Sequence, residues 1–186
     1  MRSCKACKTR FEGKGFVVWC SPECGSIIAR QRLDKKKAQA AKEDRKTTRV
    51  KLEKLKTRSE WMKEAQIAFN AWIRARDAGK PCICCGAPLA DGAIGGGYDA
   101  GHYRSVGSAP HLRFEENNCH AQAKKCNRYG AGRAVDYRKG LIHRIGVAAV
   151  ESIEADQTPR HYDISDLKAI KEKYKKMARE LKKNAA

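Results

Sequence analysis

Aromatic residues and acids are both scarce in this chain. Phe, Trp and Tyr make up 7% of its 186 residues, against 33% that are charged. That ratio leaves no single large apolar core, and small units of this composition need metals or disulfides as staples. Nowhere do eighteen apolar residues run together, so no membrane-spanning helix is expected. The first residues also lack the apolar run of a secretory leader, which points to a reducing, intracellular compartment. Asp and Glu number 21 against 40 Lys and Arg, a formal net charge of +19. A surplus of that size gives a positive potential over much of the surface and suits a nucleic acid. Between Ser26 and Ala78 there is neither Gly nor Pro, so nothing in that stretch interrupts a helix.

Cysteine is abundant. The nine fall as Cys4/Cys7, Cys20/Cys24, Cys82/Cys84/Cys85 and Cys119/Cys126, the spacing of metal knuckles rather than of a disulfide framework. Residues 1–26 read as a self-contained zinc unit, with Cys4, Cys7, Cys20 and Cys24 as the four soft ligands of a closed tetrahedral site. Ser21-Pro22 has the form of an N-cap followed by the first helical residue. Phe11, Phe16, Val17, Val18 and Trp19 are expected to form a small hairpin packed on the site.

Residues 27–79 read as a basic arm followed by an amphipathic helix. Arg30 to Arg58 carries thirteen Lys and Arg against four acids, in a background of strong helix formers that frays near Thr47-Thr48. Such a helix suits an arm lying along phosphates. Thr57-x-x-Glu60 has the form of a capping box that restarts the helix. Trp61, Ala65, Ala68, Phe69, Trp72 and Ile73 then recur at the spacing of a core face. Near the C-terminus, Gly140 and Gly146 break a helical stretch, and Leu167, Ile170, Tyr174, Met177 and Leu181 line one side of a basic helix. That stripe is expected to cover either the core or a second copy of the chain, which makes a homodimer one of the partners to consider.

Residues 80–145 hold the chemistry. Cys82 and Cys85 pair with Cys119 and Cys126 as candidate zinc ligands. His102 follows Gly95-Gly96-Gly97 in a strand-like stretch, where a neutral imidazole can take a proton from water. Asn118, with Asn117 as the near alternative, is placed to hold that strand in register with the following helix. His120 either faces a phosphate or packs. Asp99 and Asn127 are candidates to hold a divalent cation. Asp99 lies an odd number of residues from His102, hence on the opposite face of a regular strand unless a bulge at Gly101 intervenes. Arg104, Arg113, Lys124, Lys125 and Arg128 crowd the same region as candidate DNA phosphate contacts.

Several stretches together resemble the lambdoid phage NinG family. They are Lys80-Pro-Cys-Ile-x-Cys85-Gly-Ala-Pro-Leu89, Asp99-Ala-Gly-His-Tyr-Arg104, Pro110-His-Leu-Arg-Phe114, Asn118-Cys-His-x-Gln122 and Cys126-Asn-Arg-Tyr129. The resemblance implies a structure-specific endonuclease with an HNH-like core, acting on branched DNA such as Holliday junctions and D-loops with magnesium or manganese. It also implies work beside phage or host recombination proteins, in the cytoplasm and at the nucleoid of a bacterial host. The chain departs from the family pattern at two places. Ala123 stands where the family has the first Cys of a Cys-x-x-Cys, leaving Cys119, Cys84 or a water to complete the second zinc site. Arg133 stands where the family has an amide, and a guanidinium cannot ligate a metal.

The expected architecture is therefore α+β: a small zinc-stapled HNH-like ββα-metal core at 80–145, an N-terminal zinc knuckle, a long basic helix and a helical tail over 146–186. The expected activity is metal-assisted hydrolysis of a DNA phosphodiester. The alternative is a zinc-containing protein that binds branched DNA with impaired catalysis. A phage regulatory or assembly factor that uses its knuckles for protein contacts is a more distant reading.

Overall fold

A computed structural model describes residues 1–13, 15–89 and 97–184. Gly95 and Gly96, expected to lead into the His102 strand, lie outside the described residues. The chain is α+β, with its contacts grouped into two units, Met1–Lys56 and Thr57–Ala186. The amphipathic helix thus groups with the second unit, whereas the sequence boundaries joined it to the basic arm.

In the first unit, strands β1 (Arg2–Ser3) and β2 (Arg10–Phe11) pair antiparallel. This hairpin flanks the first Cys pair. Of the residues expected to build it, Phe11 lies on β2, whereas Phe16 is fully exposed and Trp19 is 38% exposed, since this small unit offers them little core to enter. Helix α1 (Pro22–Leu55) begins as its sequence directs, with the Ser21 hydroxyl accepting from Cys24 N and Pro22 at the first position. Over 34 residues it extends roughly 50 Å. It does not fray at Thr47, whose hydroxyl bonds back to the Glu43 carbonyl at 2.9 Å. Ile28 is its single buried residue, so α1 presents charged side chains to water along almost its whole length.

Lys56 leaves helical geometry, and Thr57 restarts it with a complete capping box: Thr57 N donates to Glu60 Oε2 at 2.8 Å, and Glu60 N to Thr57 Oγ1 at 3.3 Å. Helix α2 (Arg58–Arg76) buries Trp61, Ala65, Ala68, Phe69, Trp72 and Ile73. The cover comes from α5 (Ile164–Asn184), through Leu167, Tyr174 and Ala178. Phe69 meets Tyr174 edge-on at 4.9 Å, and Lys168 and Lys171 lie 4.8 Å from the Trp61 ring. Most of the terminal stripe is thereby used within the chain, with Ile170 and Met177 packed against the same cluster.

Strands β3 (Tyr98–His102) and β4 (Cys119–Ala123) pair antiparallel, with Gly101 opposite His120 and His102 opposite Cys119. Helices α3 (Ala134–Ile145) and α4 (Val147–Ala155) follow. A second cluster of Ile83, Leu112, Tyr137, Leu141, Val150 and Ile153 binds them to the Cys82 turn. Gly140 does not break α3. A Cβ there would lie 1.7 Å from the Ile83 carbonyl oxygen, so its bare backbone lets the helix close on the knuckle. Gly146, at φ +86°, is the break between α3 and α4.

Candidate metal centres and the His102 cleft

The sulfurs of Cys4, Cys7, Cys20 and Cys24 all lie within 4.8 Å of one another, with Cys7–Cys20 at 3.4 Å and Cys20–Cys24 at 3.6 Å. Four thiolates on one zinc at about 2.3 Å stand about 3.8 Å apart, so this set fits the ion. Crowding divides their acidities. The backbone N–H of Cys7, foremost, draws Cys4 down to about 6, while the Cys7 and Cys24 sulfurs hold Cys20 up to about 12. Four sulfurs this close ionise together only around a cation.

A second set comprises Cys82, Cys84, Cys85 and Cys126, again within 4.8 Å, with Cys82–Cys84 at 3.6 Å. Burial opposes ionisation of Cys82, but the N–H groups of Ala123, Cys85 and Cys84 outweigh it and bring the thiol down to about 7. Burial, with the Cys126 and Cys82 sulfurs, holds Cys84 up to about 12. Cys119 is not in this set. It sits on β4 inside the α2–α5 cluster, fully buried, and its sulfur lies 3.7 Å from His102 Nδ1. Cys119 and Ala123 share a face of β4, but four residues of strand part them by roughly 13 Å, so Cys119 enters the apolar core rather than the thiol set.

His102 ends β3 at a cleft of about 350 Å³, whose walls include Ala100, Tyr103, Ser105, Asn127 and Gly132. Its Nε2 donates to the Arg113 carbonyl at 3.0 Å, which leaves the lone pair of the neutral ring on Nδ1. Burial, the largest influence, lowers its pKa, with the Arg113 carbonyl bond opposing. His102 is therefore a neutral imidazole of fixed tautomer, the form a general base requires. At the edge of the cleft Ala131, Gly132 and Arg133 take φ of +49°, +77° and +49°, a left-handed run that costs a non-glycine residue about 1–2 kcal/mol.

Asn118 is buried and holds backbone. Its Oδ1 accepts from Arg104 N at 2.8 Å, and its Nδ2 donates to the carbonyls of Arg104 and Leu112. It ties the β3 exit to the β4 entry, a positioning role rather than a catalytic one. Asp99 and His102 point from opposite faces, because the strand pairing runs in regular register without a bulge. The Asp99 carboxylate receives Arg128 at 2.8 and 3.0 Å and Asn127 Nδ2 at 3.1 Å.

Magnesium and manganese prefer oxygen ligands, carboxylates above all. The described residues lining the cleft include no carboxylate, and Asp99 is neutralised by Arg128. This donor set does not fit a divalent cation as it stands. Arg133, also αL, pairs with Asp136 at 2.7 Å.

His120 does not face the cleft as a catalytic group. It is buried, with Nδ1 2.9 Å from Arg76 Nη2 and Nε2 donating to the Asn117 carbonyl. The hub of that network is Asp77, which sequence reasoning missed. Its carboxylate is fully buried and accepts from Arg76, Lys80 and the Ala121 N–H, with Arg144 at 3.7 Å. Burial opposes the charge, but His120, Arg76 and Ala121 outweigh it and hold the carboxyl far below the usual carboxylate range. The one local signal was an acid at the C-terminus of a helix, where the dipole disfavours it unless cations compensate.

The five expected phosphate contacts divide. Arg104 is spent on the end of α4, donating to the carbonyls of Ile153, Glu154 and Asp156 and to Gln157 Oε1. Arg113 donates to Gln66 Oε1. Arg128 holds Asp99 yet remains 56% exposed. Lys125 is exposed and Lys124 half-buried on the same segment.

The family described as Bacteriophage Lambda NinG protein matches residues 1–184. This chain belongs to the NinG family. It is 42% identical to Protein ninG of Salmonella phage P22 over 175 residues, which cover 88% of this chain and 84% of the relative. Protein ninG of Escherichia phage lambda is 41% identical over 175 residues, 88% of this chain and 83% of the relative. That of Escherichia phage 933W is 38% identical over 193 residues, 97% of this chain and 94% of the relative. No solved structure matches. Among the described residues no helix is long and apolar enough to cross a membrane.

Proposed function

We propose that this NinG family chain is a structure-specific DNA endonuclease acting on branched recombination intermediates such as Holliday junctions and D-loops. The observation that carries the reading is His102: a half-buried neutral imidazole with its Nε2 proton committed to the Arg113 carbonyl, at a residue that lines a cleft. In this conformation its Nδ1 lone pair faces the buried Cys119 sulfur at 3.7 Å, so it accepts the proton of a water attacking phosphorus once the ring turns toward the cleft. The reading takes β3, β4 and α3 behind it as the ββα unit of an HNH-like core. Lys125 and Arg128 supply positive charge beside the cleft for the phosphate backbone, and the long basic α1 supplies a second, sequence-independent grip. Such an enzyme would work in the host cell, at the nucleoid, alongside recombination proteins.

A second reading has its own observation. Asp99 is neutralised by Arg128, and Arg133 occupies the strained start of α3, which favours a protein that binds branched DNA and cuts it poorly. Incubating a labelled four-way junction and its linear duplex control with EDTA, magnesium or manganese separates the two. Metal-dependent incision of the junction that disappears in His102→Ala supports the nuclease. Tight junction binding, steeply weakened by salt, with no incision by either protein supports the binding module.

A further inference from the structure

The second thiol set differs from an ordinary pair of Cys-x-x-Cys knuckles in where its fourth sulfur comes from. Strand β4 delivers Ala123 beside the site, and what it contributes is its backbone N–H, which donates to Cys82 Sγ at 3.2 Å. The missing sulfur arrives instead from within the first knuckle. Gly86 turns the chain in the left-handed region at φ +68°, and the side chain of Cys84 reaches the same point as those of its neighbours Cys82 and Cys85. All four sulfurs, with Cys126, lie within 4.8 Å.

A second feature singles out Cys84. Gln122, fully buried, aims its Nε2 at the Cys84 sulfur at 3.5 Å and at the Gly132 carbonyl at 2.8 Å. Amide donors directed at ligand sulfurs are the outer support that orients thiolates around a metal. Here Cys82 receives the Ala123 N–H and Cys84 the Gln122 side-chain amide. Cys119, the other cysteine near β4, lies in the apolar cluster beside His102 and receives none.

We propose that Cys84 is the fourth thiolate of a closed second zinc site, formed by Cys82, Cys84, Cys85 and Cys126, and that it replaces a ligand otherwise supplied from position 123. A cysteine at 123 and a cysteine at 84 are then interchangeable sources of the same sulfur. Through Gln122 this ligand is also tied to Gly132 in the cleft wall. The inference concerns zinc alone and stands whether or not the protein cuts DNA.

The test is made on the full chain purified with zinc. X-ray absorption at the zinc edge and a colorimetric zinc count are taken for the parent, Cys84→Ser, Cys119→Ser and the double variant Cys84→Ser/Ala123→Cys. The parent is expected to hold two zinc ions with about four sulfurs each. In Cys84→Ser the second ion yields to a competing chelator at a concentration at least roughly a hundredfold lower. Cys119→Ser matches the parent, and the double variant regains the second ion. If Cys84→Ser does not fold, the sulfur count of the parent decides. A mean of about three and a half sulfurs per zinc would mean a three-thiolate second site and overturn the proposal. So would a Cys84→Ser protein that keeps both ions as tightly as the parent, or loss of the second ion in Cys119→Ser. A double variant that stays deficient would overturn the exchange between positions 84 and 123.

Discussion

Cys4 and Cys82 begin the same turn. Cys4 N donates to the Thr9 carbonyl and Lys8 N returns to Cys4 O, both at 2.9 Å; Cys82 N donates to Ala87 O at 2.9 Å and Gly86 N to Cys82 O at 3.0 Å. The fifth residue of each turn takes the left-handed region, Lys8 at φ +64° and Gly86 at +68°. What surrounds the turns differs. Around the first, Cys7 and Cys20 are exposed, and among the described residues of the unit Cys4 and Ile28 are the buried ones. Around the second, Cys82 and Cys126 are buried, Ile83 enters an apolar cluster, and α3 closes on the turn at Gly140. One local conformation thus serves two purposes. The first turn has almost no apolar packing around it, whereas the second is braced by an apolar core.

Removing the metal should expose that contrast most strongly. With a zinc chelator, amide exchange across residues 2–21 is expected to lose its protection, because binding of order 10 kcal/mol is withdrawn from a segment with no core. Amides of α2 and α5 should stay protected. Equal loss in both units would show that the second core does not stand alone.

A change that attacks the brace and leaves the metal ligands alone comes next. Asp77→Asn leaves Arg76 and Arg144 without their buried countercharge, and should destabilise the second unit by about 3–5 kcal/mol in urea denaturation. Zinc content of the first site should not change. A cost below about 1 kcal/mol would mean that Asp77 does not hold β4 in place.

Acid sharpens the comparison further. Arg138 first, and then Tyr103, hold Glu154 down to about 2, against an ordinary 4.5. A depressed carboxyl contributes stability that is fully present above its unfolded pKa and is lost as pH falls through the folded one. The Glu154 contribution should therefore be intact above about pH 4.5 and decline toward pH 2. Glu154→Gln should flatten that decline in pH-dependent urea melts of the second unit; an unchanged slope would remove Glu154 from the acid response.

The smallest effect concerns the turn itself. Lys8→Gly relieves a left-handed lysine and should tighten the first site by about 1 kcal/mol in chelator competition, provided the zinc-bound form keeps φ near +64°. Gly86→Ala should do the reverse at the second site.

The residues that were legible in the sequence are those whose partners lie close along the chain. Cys4-x-x-Cys7 and Cys20-x-x-x-Cys24, the Ser21-Pro22 helix start, the Thr57–Glu60 capping box and the α2 core face each follow from spacing within a turn or two. His102 on a strand was legible from the local alternation, whereas the hold of Asn118 on Arg104 spans 14 positions of chain. The tertiary structure decided what long separations govern. It chose Cys84 over Cys119 beside Cys126, gave Arg104 to the end of α4, and placed His120 and Asp77 in one buried network across 43 positions of chain. It also set Asp99 against Arg128. A side chain's role depends on which distant groups desolvate and face it. Local spacing carries no information on that until the strands have paired and α3 has closed on the knuckle.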